Sequence, residues 1–351
     1  MSLGASKTLI TVQALRALAA SAVVVYHVLF MLVHNGGYSF AVSEIGASGV
    51  DLFFVISGFI MIYTTYGSFR QPKATAAFIR RRAIRIIPIY WFYTTVIVLL
   101  LAFAPTLFSE IKFNWQNVIS SYLFLLSKNS KGDVGTVMQT GWTLCFEVYF
   151  YLMFAILLNL PRKYFLIISG TLFMTGIIFG ASSWSPPTWA GVATNPILFE
   201  FYLGTVIAFL FVKGFSLPPY LATAAIILSI TAIFVTSDVN MGKWTRVICW
   251  GLPGGILLLG ALSLEHAGIK VPKLFTAIGD SSYSLYLVHP FLVPAMGKVW
   301  MALHLHERLA PAVLFIVAFI CSITAGHMLY LVIEKPITQW LSRTWKSPAG
   351  A

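Results

Sequence analysis

The sequence predicts an all-α fold, a polytopic membrane bundle of about ten transmembrane helices with both termini cytoplasmic. Three observations predict it. Of the 351 residues, 58% are hydrophobic and only 10% are charged. Soluble domains carry roughly 25% charged and about 45–50% apolar residues, so polar side chains here are too few to cover a water-facing surface. The apolar residues are gathered into runs near the ~20 residues that span a bilayer as helix. Finally, 23 basic residues against 11 acidic ones give a net charge of +12, and the basic residues are dispersed over short loops between the runs. That placement fits the positive-inside bias of membrane proteins better than a nucleic-acid partner.

The runs lie near 9–33, 48–66, 84–104, 141–160, 164–180, 197–213, 219–236, 246–264, 283–303 and 312–334. A shorter run at 118–126, inside the longest loop at 105–140, falls below spanning length and reads as an interfacial or re-entrant piece, with an eleventh span as the alternative. The first run is too long for a secretory signal and lacks a small-residue cleavage site, so it is expected to be retained. With the N-terminus cytoplasmic, 14 of the 23 basic residues fall inside and 7 outside, while Arg16 and Arg85 lie within spans. Eleven spans would carry Arg162 and Lys163 to the exterior, which favours ten. No repeat or low-complexity tract breaks the chain, and 1–351 reads as one membrane domain. Cys145, Cys249 and Cys321 sit in apolar runs at neither disulfide nor metal spacing, so no structural staple and no metal is expected.

A charge in hydrocarbon is costly, which makes intramembrane ionisable residues functional candidates. Arg16 and His27 are 11 residues apart in the first helix, about 20° past three full turns, and so share one face. His27 stands ~27 Å along that helix from Leu9, toward the outer boundary. The bland alternative is an arginine that snorkels and a satisfied histidine at the interface. The third run opens with Arg80, Arg81, Arg82 and Arg85, then Pro88. Arg82 and Arg85 share a face, and guanidinium forks match phosphate oxygens. Arg80 and Arg81 read as topology anchors. Glu147 falls about two turns into the fourth helix, at a depth similar to that of His27, where a carboxylate could orient and support an imidazole base. Pairing with a structural arginine is the alternative. Asp51 lies at the outer mouth of the second helix, with Ser57 and Gly58 as packing residues. Trp142 begins the fourth run, and the ninth holds Tyr283, Tyr286 and His289; Asp51, Trp142, Tyr286 and His289 are candidates for a substrate site. Glu334 ends the tenth run, where the arginines of the third could meet it. His34, His304, His306 and His327 read as interface or packing residues. No Gly-x-Ser-x-Gly, P-loop or dinucleotide fingerprint occurs.

Taken together, Arg16-x10-His27, Gly49-Val-Asp-Leu-Phe-Phe-Val-Ile-Ser-Gly-Phe59, Arg82-x-x-Arg85, Trp142-Thr-Leu-x-x-Glu147-x-x-Phe150-Tyr151, Ser282-Tyr-Ser-Leu-Tyr-Leu-x-His289 and Glu334-Lys-Pro336 resemble the acyltransferase family 3 membrane proteins. The resemblance covers essentially the whole chain. It implies a bacterial inner-membrane O-acyltransferase that moves an acyl group, usually acetyl from acetyl-CoA, to sugar hydroxyls of exopolysaccharide, O-antigen, Nod factor, peptidoglycan or macrolide. It further implies His27 as the catalytic histidine, Arg16 as its companion, Arg82 and Arg85 as contacts to CoA phosphates, and Glu147 as an essential acid. Many relatives carry a second acid where this chain has Val148. The chain ends 17 residues after Glu334, as in the shorter, exopolysaccharide-modifying branch. The expected partners are acyl-CoA, a saccharide acceptor and membrane lipids. Two rivals remain open from the residues alone: a flippase of a lipid-linked sugar, and a membrane sensor or scaffold. Attack by the hydroxyl under base catalysis and transient acylation of His27 are equally open.

Overall fold

In hydrocarbon every backbone N–H and C=O must be satisfied within the chain, and a helix does this inside a single segment. The apolar runs accordingly become helices. The computed structural model describes residues 8–34, 36–105, 112–181, 187–237, 239 and 242–345. Its helices are α1 (Ile10–His34), α2 (Ser48–Thr65), α3 (Ala74–Phe103), α4 (Trp115–Tyr122), α5 (Trp142–Leu157), α6 (Phe165–Ala181), α7 (Leu198–Val212), α8 (Pro219–Val235), α9 (Lys243–Arg246), α10 (Leu252–His266), α11 (Lys273–Asp280), α12 (Ser282–Ala302), α13 (Pro311–Leu329) and α14 (Lys335–Thr344). Six segments are long and apolar enough to cross a membrane by length and composition: Ile10–His34, Glu44–Thr65, Ala74–Phe103, Arg162–Ala181, Lys243–His266 and Pro311–Thr344. Gly141–Leu157, Leu198–Val212 and Pro219–Val235 are apolar but shorter. Helix α12 has 21 residues, broken in character by His289, Pro290, Pro294 and Lys298.

Three local features differ from a plain reading of the runs. Helix α3 begins ten residues before the apolar stretch, because the segment from Ala74 is rich in alanine and helix-compatible arginine; Arg80, Arg81, Arg82 and Arg85 therefore lie well inside it. Two helices widen into single π turns, Val247–Gly251 and Tyr330–Glu334, just before Pro253 and Pro336. Proline lacks an N–H and its ring clashes with the carbonyl four residues back, here Cys249 and Val332, and the wider turn absorbs both defects. The described part of the long loop, 112–140, is folded, not extended. It carries the eight-residue α4, too short to span, and a two-stranded hairpin of β1 (Ser127–Lys128) and β2 (Val134–Gly135).

The chain forms two compact units, one from Met1–Tyr63 with Leu203–Val332, the other from Thr64–Tyr202 with Ile333–Ala351. In the first unit Ala20, Val24, Val28, Met31 and Leu32 of α1 bury against Leu285, Val293 and Trp300 of α12 and Leu314 and Ala318 of α13. Helices α2 and α7 meet at Gly204, where an added Cβ would lie 2.0 Å from the Val55 carbonyl oxygen, so only glycine allows this approach. Helix α1 has no acidic residue in its first turn. Glu265 of α10 caps it instead, accepting from the Thr11 amide at 2.7 Å, the Thr11 hydroxyl at 2.7 Å and the Ile10 amide at 3.3 Å. A carboxylate there satisfies orphan amides and complements the helix dipole.

In the second unit α3 packs on α5 through aromatic rings, Phe78 on Phe154 at 4.9 Å, and Phe150 stacks on Phe201 at 4.5 Å. The folded loop is fixed to α3: Tyr90 donates to the Ser121 carbonyl at 3.2 Å and Trp91 Nε1 to the Tyr122 carbonyl at 3.0 Å. Asn117 ties α4 to the hairpin through Ser127 Oγ at 2.9 Å and the Gly135 carbonyl at 3.3 Å. Helix α14 rests on α3, and the Arg80 guanidinium donates to the Trp345 carbonyl. Glu334 is buried at the root of α14, within electrostatic range of Tyr93.

Candidate active site

In the first unit the polar face of α1 lies against α12. Arg16 donates from Nη2 to Ser282 Oγ at 2.8 Å and from Nη1 to Gln13 Oε1 at 3.0 Å. Eleven residues on, the His27 ring sits edge-on to His289 with centroids 4.8 Å apart. Both contacts advance in the same chain direction, so α1 and α12 run parallel, and the shared face read from the Arg16 to His27 spacing is the face that α12 covers. The two histidines are held alike. His27 Nδ1 bonds the Val23 carbonyl at 2.9 Å, and His289 Nδ1 bonds the Leu285 carbonyl at 3.1 Å. A carbonyl only accepts, so each Nδ1 carries the proton and each neutral ring keeps its lone pair on Nε2. His27 is half-buried and His289 is wholly buried. Tyr26 flanks His27 at 5.1 Å, and Tyr286 flanks His289 at 5.8 Å with Phe53 behind it at 6.2 Å.

Asp51, placed at the outer mouth from the sequence, is fully buried and paired with Arg246. The guanidinium reaches it through Nε at 2.8 Å and Nη2 at 2.9 Å. Arg246 also lies over the Trp250 ring at 5.2 Å. A bidentate pair of this kind has its charges compensated on both sides.

The second unit holds the other cluster. Arg82 of α3 lies over the rings of Phe78 and Tyr151, each 5.7 Å away, with Thr64 Oγ1 at 3.5 Å from its Nη2. Its Nε is buried with no hydrogen-bond partner. Tyr151 donates to Glu147 one helical turn earlier on α5, and both Arg82 and Arg85 lie within electrostatic range of this Tyr151–Glu147 pair. Glu147 itself is half-buried. Trp142 starts α5 and meets Phe146 edge-on at 5.8 Å. The Arg82 guanidinium, flanked by two rings and with one donor unused, has Arg85 as a second positive charge near the same Tyr151, an arrangement suited to an anion.

The sequence named the members of both clusters but missed some partners. Tyr151 follows Glu147 by four residues, a spacing that signals a shared helix face. Arg246 for Asp51, Ser282 for Arg16 and His289 for His27 come from distant helices, and no local pattern announces them. His34 stacks on Phe30 at 3.8 Å, and His327 Nδ1 lies 3.4 Å from Ser281 Oγ. Among the described residues no group of three or more His, Cys, Asp or Glu side chains could hold a metal ion.

Comparison with known proteins places these features in context. A family model described as an acyltransferase domain matches residues 9–330. The chain is 33% identical over 320 residues to the exopolysaccharide production protein ExoZ of Rhizobium meliloti, covering 88% of this chain and 94% of that protein. It is 24% identical to the acyltransferase MdmB of Streptomyces mycarofaciens, over 86% of this chain and 83% of that one. It is 23% identical to the peptidoglycan O-acetyltransferase OatA of Listeria monocytogenes, over 93% of this chain and 55% of OatA. No solved structure matches.

Proposed function

Because the chain belongs to the acyltransferase family whose model spans residues 9–330, we propose that it is a multi-pass enzyme of the bacterial inner membrane that transfers acetyl from acetyl-CoA to a hydroxyl of a cell-surface polysaccharide or of its lipid-linked precursor. The likeness to ExoZ over 94% of that protein's length supports the exopolysaccharide as acceptor. In this reading the chain crosses ten times with both termini in the cytoplasm.

One observation carries the assignment of the base: His27 has its Nδ1 pinned to the Val23 carbonyl and its Nε2 lone pair available. A base so oriented can take the proton of a sugar hydroxyl as the oxygen attacks the thioester carbon, or accept the acetyl group on Nε2 before passing it on. Arg16, three turns earlier on α1, holds that helix to Ser282 and keeps the histidine in register. Arg82 and Arg85 bind the phosphates of CoA, with Glu147 and Tyr151 setting the orientation of the guanidiniums. Tyr286 beside His289 and Trp142 at the start of α5 are assigned to the saccharide, while Asp51 contributes by fixing Arg246 in the fold.

The test is a thiol-release assay with the purified protein, acetyl-CoA and chemically O-deacetylated polysaccharide of the source strain. Acetyl-CoA consumption that depends on the saccharide, with acetyl esters appearing on it by mass spectrometry, is the expected result. Binding of lipid-linked sugar without any thioester consumption would overturn the enzyme in favour of a flippase.

A further inference from the structure

Within the first unit, the buried acceptor on His289 is served by no donor. The residue is wholly buried, its Nδ1–H is engaged by the Leu285 carbonyl at 3.1 Å, and its Nε2 has no hydrogen-bond partner. An unserved buried acceptor is destabilising, and a phenyl or leucyl side chain would fill the space without that cost. The nitrogen therefore calls for a donor that arrives only at one stage of function. Tyr286, at 5.8 Å between centroids, stands beside the ring and does not supply it. His27, at 4.8 Å and edge-on, can. As a neutral base it presents a lone pair on Nε2, but once it has taken a proton it presents an N–H there.

We infer that His289 is the hydrogen-bond acceptor for protonated His27, a positioning residue that acts through the base and not on the substrate. The Nε2 of His289 is sealed from the surroundings, whereas the His27 ring is only half-buried, so an incoming saccharide meets His27 alone. The inference rests on His27 as the general base. The acceptor O–H bond breaks and its proton moves to His27 Nε2 while the oxygen bonds the acyl carbon and the C–S bond breaks. The ring then pivots about its Nδ1 anchor and offers Nε2–H to His289. The pair holds a single proton until it is delivered to the departing thiolate, leaving an ester, a thiol and both rings as they began. The titratable rings beside His27 in this unit are Tyr26 on its own helix and His289 on α12.

Three variants test this in the thiol-release assay with acetyl-CoA and O-deacetylated polysaccharide. His289→Phe keeps a ring but no acceptor, and kcat should fall about tenfold or more with KM for both substrates unchanged. His289→Gln offers an amide oxygen and should recover most of the loss. His289→Ala should be slow and be partly restored by added imidazole. Parental kcat in His289→Phe overturns the inference, and so do equal losses in His289→Phe and His289→Gln, which mark a packing role. A change confined to KM for the saccharide overturns it too, by placing His289 on the substrate. His27→Ala in the same assay keeps the premises separate: full transfer by that variant removes the base itself, whatever His289 does.

Discussion

Two polar pairs in the first unit, each with one fully buried member, solve opposite problems. Asp51 and Arg246 close on each other with two hydrogen bonds near 2.8 and 2.9 Å, and Trp250 covers the guanidinium. His27 and His289 lie edge to face, each with one nitrogen tied to its own helix and the other unclaimed by a protein hydrogen bond. In the first pair both carboxylate oxygens of Asp51 are served from within the protein. The second is incomplete without an added proton. In an apolar bundle, then, the signature of chemistry is not a polar residue but a polar residue whose hydrogen-bonding capacity the protein leaves unfilled. Arg82, with its Nε unused, belongs with the histidines by that criterion.

The contrast breaks most visibly at His27. His27→Ala should lower transfer by about 10² to 10⁴, the usual worth of a general base, while the melting temperature in detergent stays near that of the parent. Near-normal acetylation would withdraw the assignment. Asp51→Asn should do the reverse, since stranding the Arg246 charge typically costs about 3 kcal/mol at a partly exposed site, the low end for a broken buried pair. Transfer per folded molecule should hold, and a double change of Asp51→Leu with Arg246→Met should regain most of the melting temperature. If turnover falls without any loss of stability, the pair is part of the site and the contrast is wrong. The smallest effect is expected at Arg85. Its replacement by alanine should weaken CoA binding about tenfold, the worth of one charge-assisted hydrogen bond, and leave saccharide binding alone. Arg85→Lys should recover only part, because an ammonium keeps charge but loses the fork. Calorimetric titration of CoA into the variants decides between this and a mere topology anchor.

The fold was legible where the signal is local. Apolar runs and helix-face spacing are properties of neighbouring residues, and they located the helices and put Arg16 and His27 on one face. Helix α3 outran its apolar run because helix propensity does not require hydrophobicity, as the Ala74 to Arg82 segment shows. Pro253 and Pro336 were visible, but the π turns they induce depend on how the widened helix packs. The candidate site was legible residue by residue and not pair by pair. Depth along two helices suggested Glu147 as support for His27; within its own unit Glu147 takes its hydrogen bond from Tyr151 and lies within range of the Arg82 charge. Contacts such as His27 with His289 join segments far apart in sequence, and no periodicity encodes them.

The carboxylate that caps α1 has a consequence for the order in which the protein is made. Its donors, Ile10 and Thr11, leave the ribosome at the start of synthesis, while Glu265 follows 254 residues after Thr11 and Ser282, the partner of Arg16, 266 residues after its own donor. Helix α1 must therefore wait, inserted but with the Ile10 and Thr11 amides and the Arg16 guanidinium without their later partners, until the chain has extended through α10 and into α12. A ribosome stalled before residue 265 leaves an insertion intermediate whose first helix is complete in length and unfinished in every polar contact it will later make with those helices. The last third of the chain is thus the assembly checkpoint for the first helix.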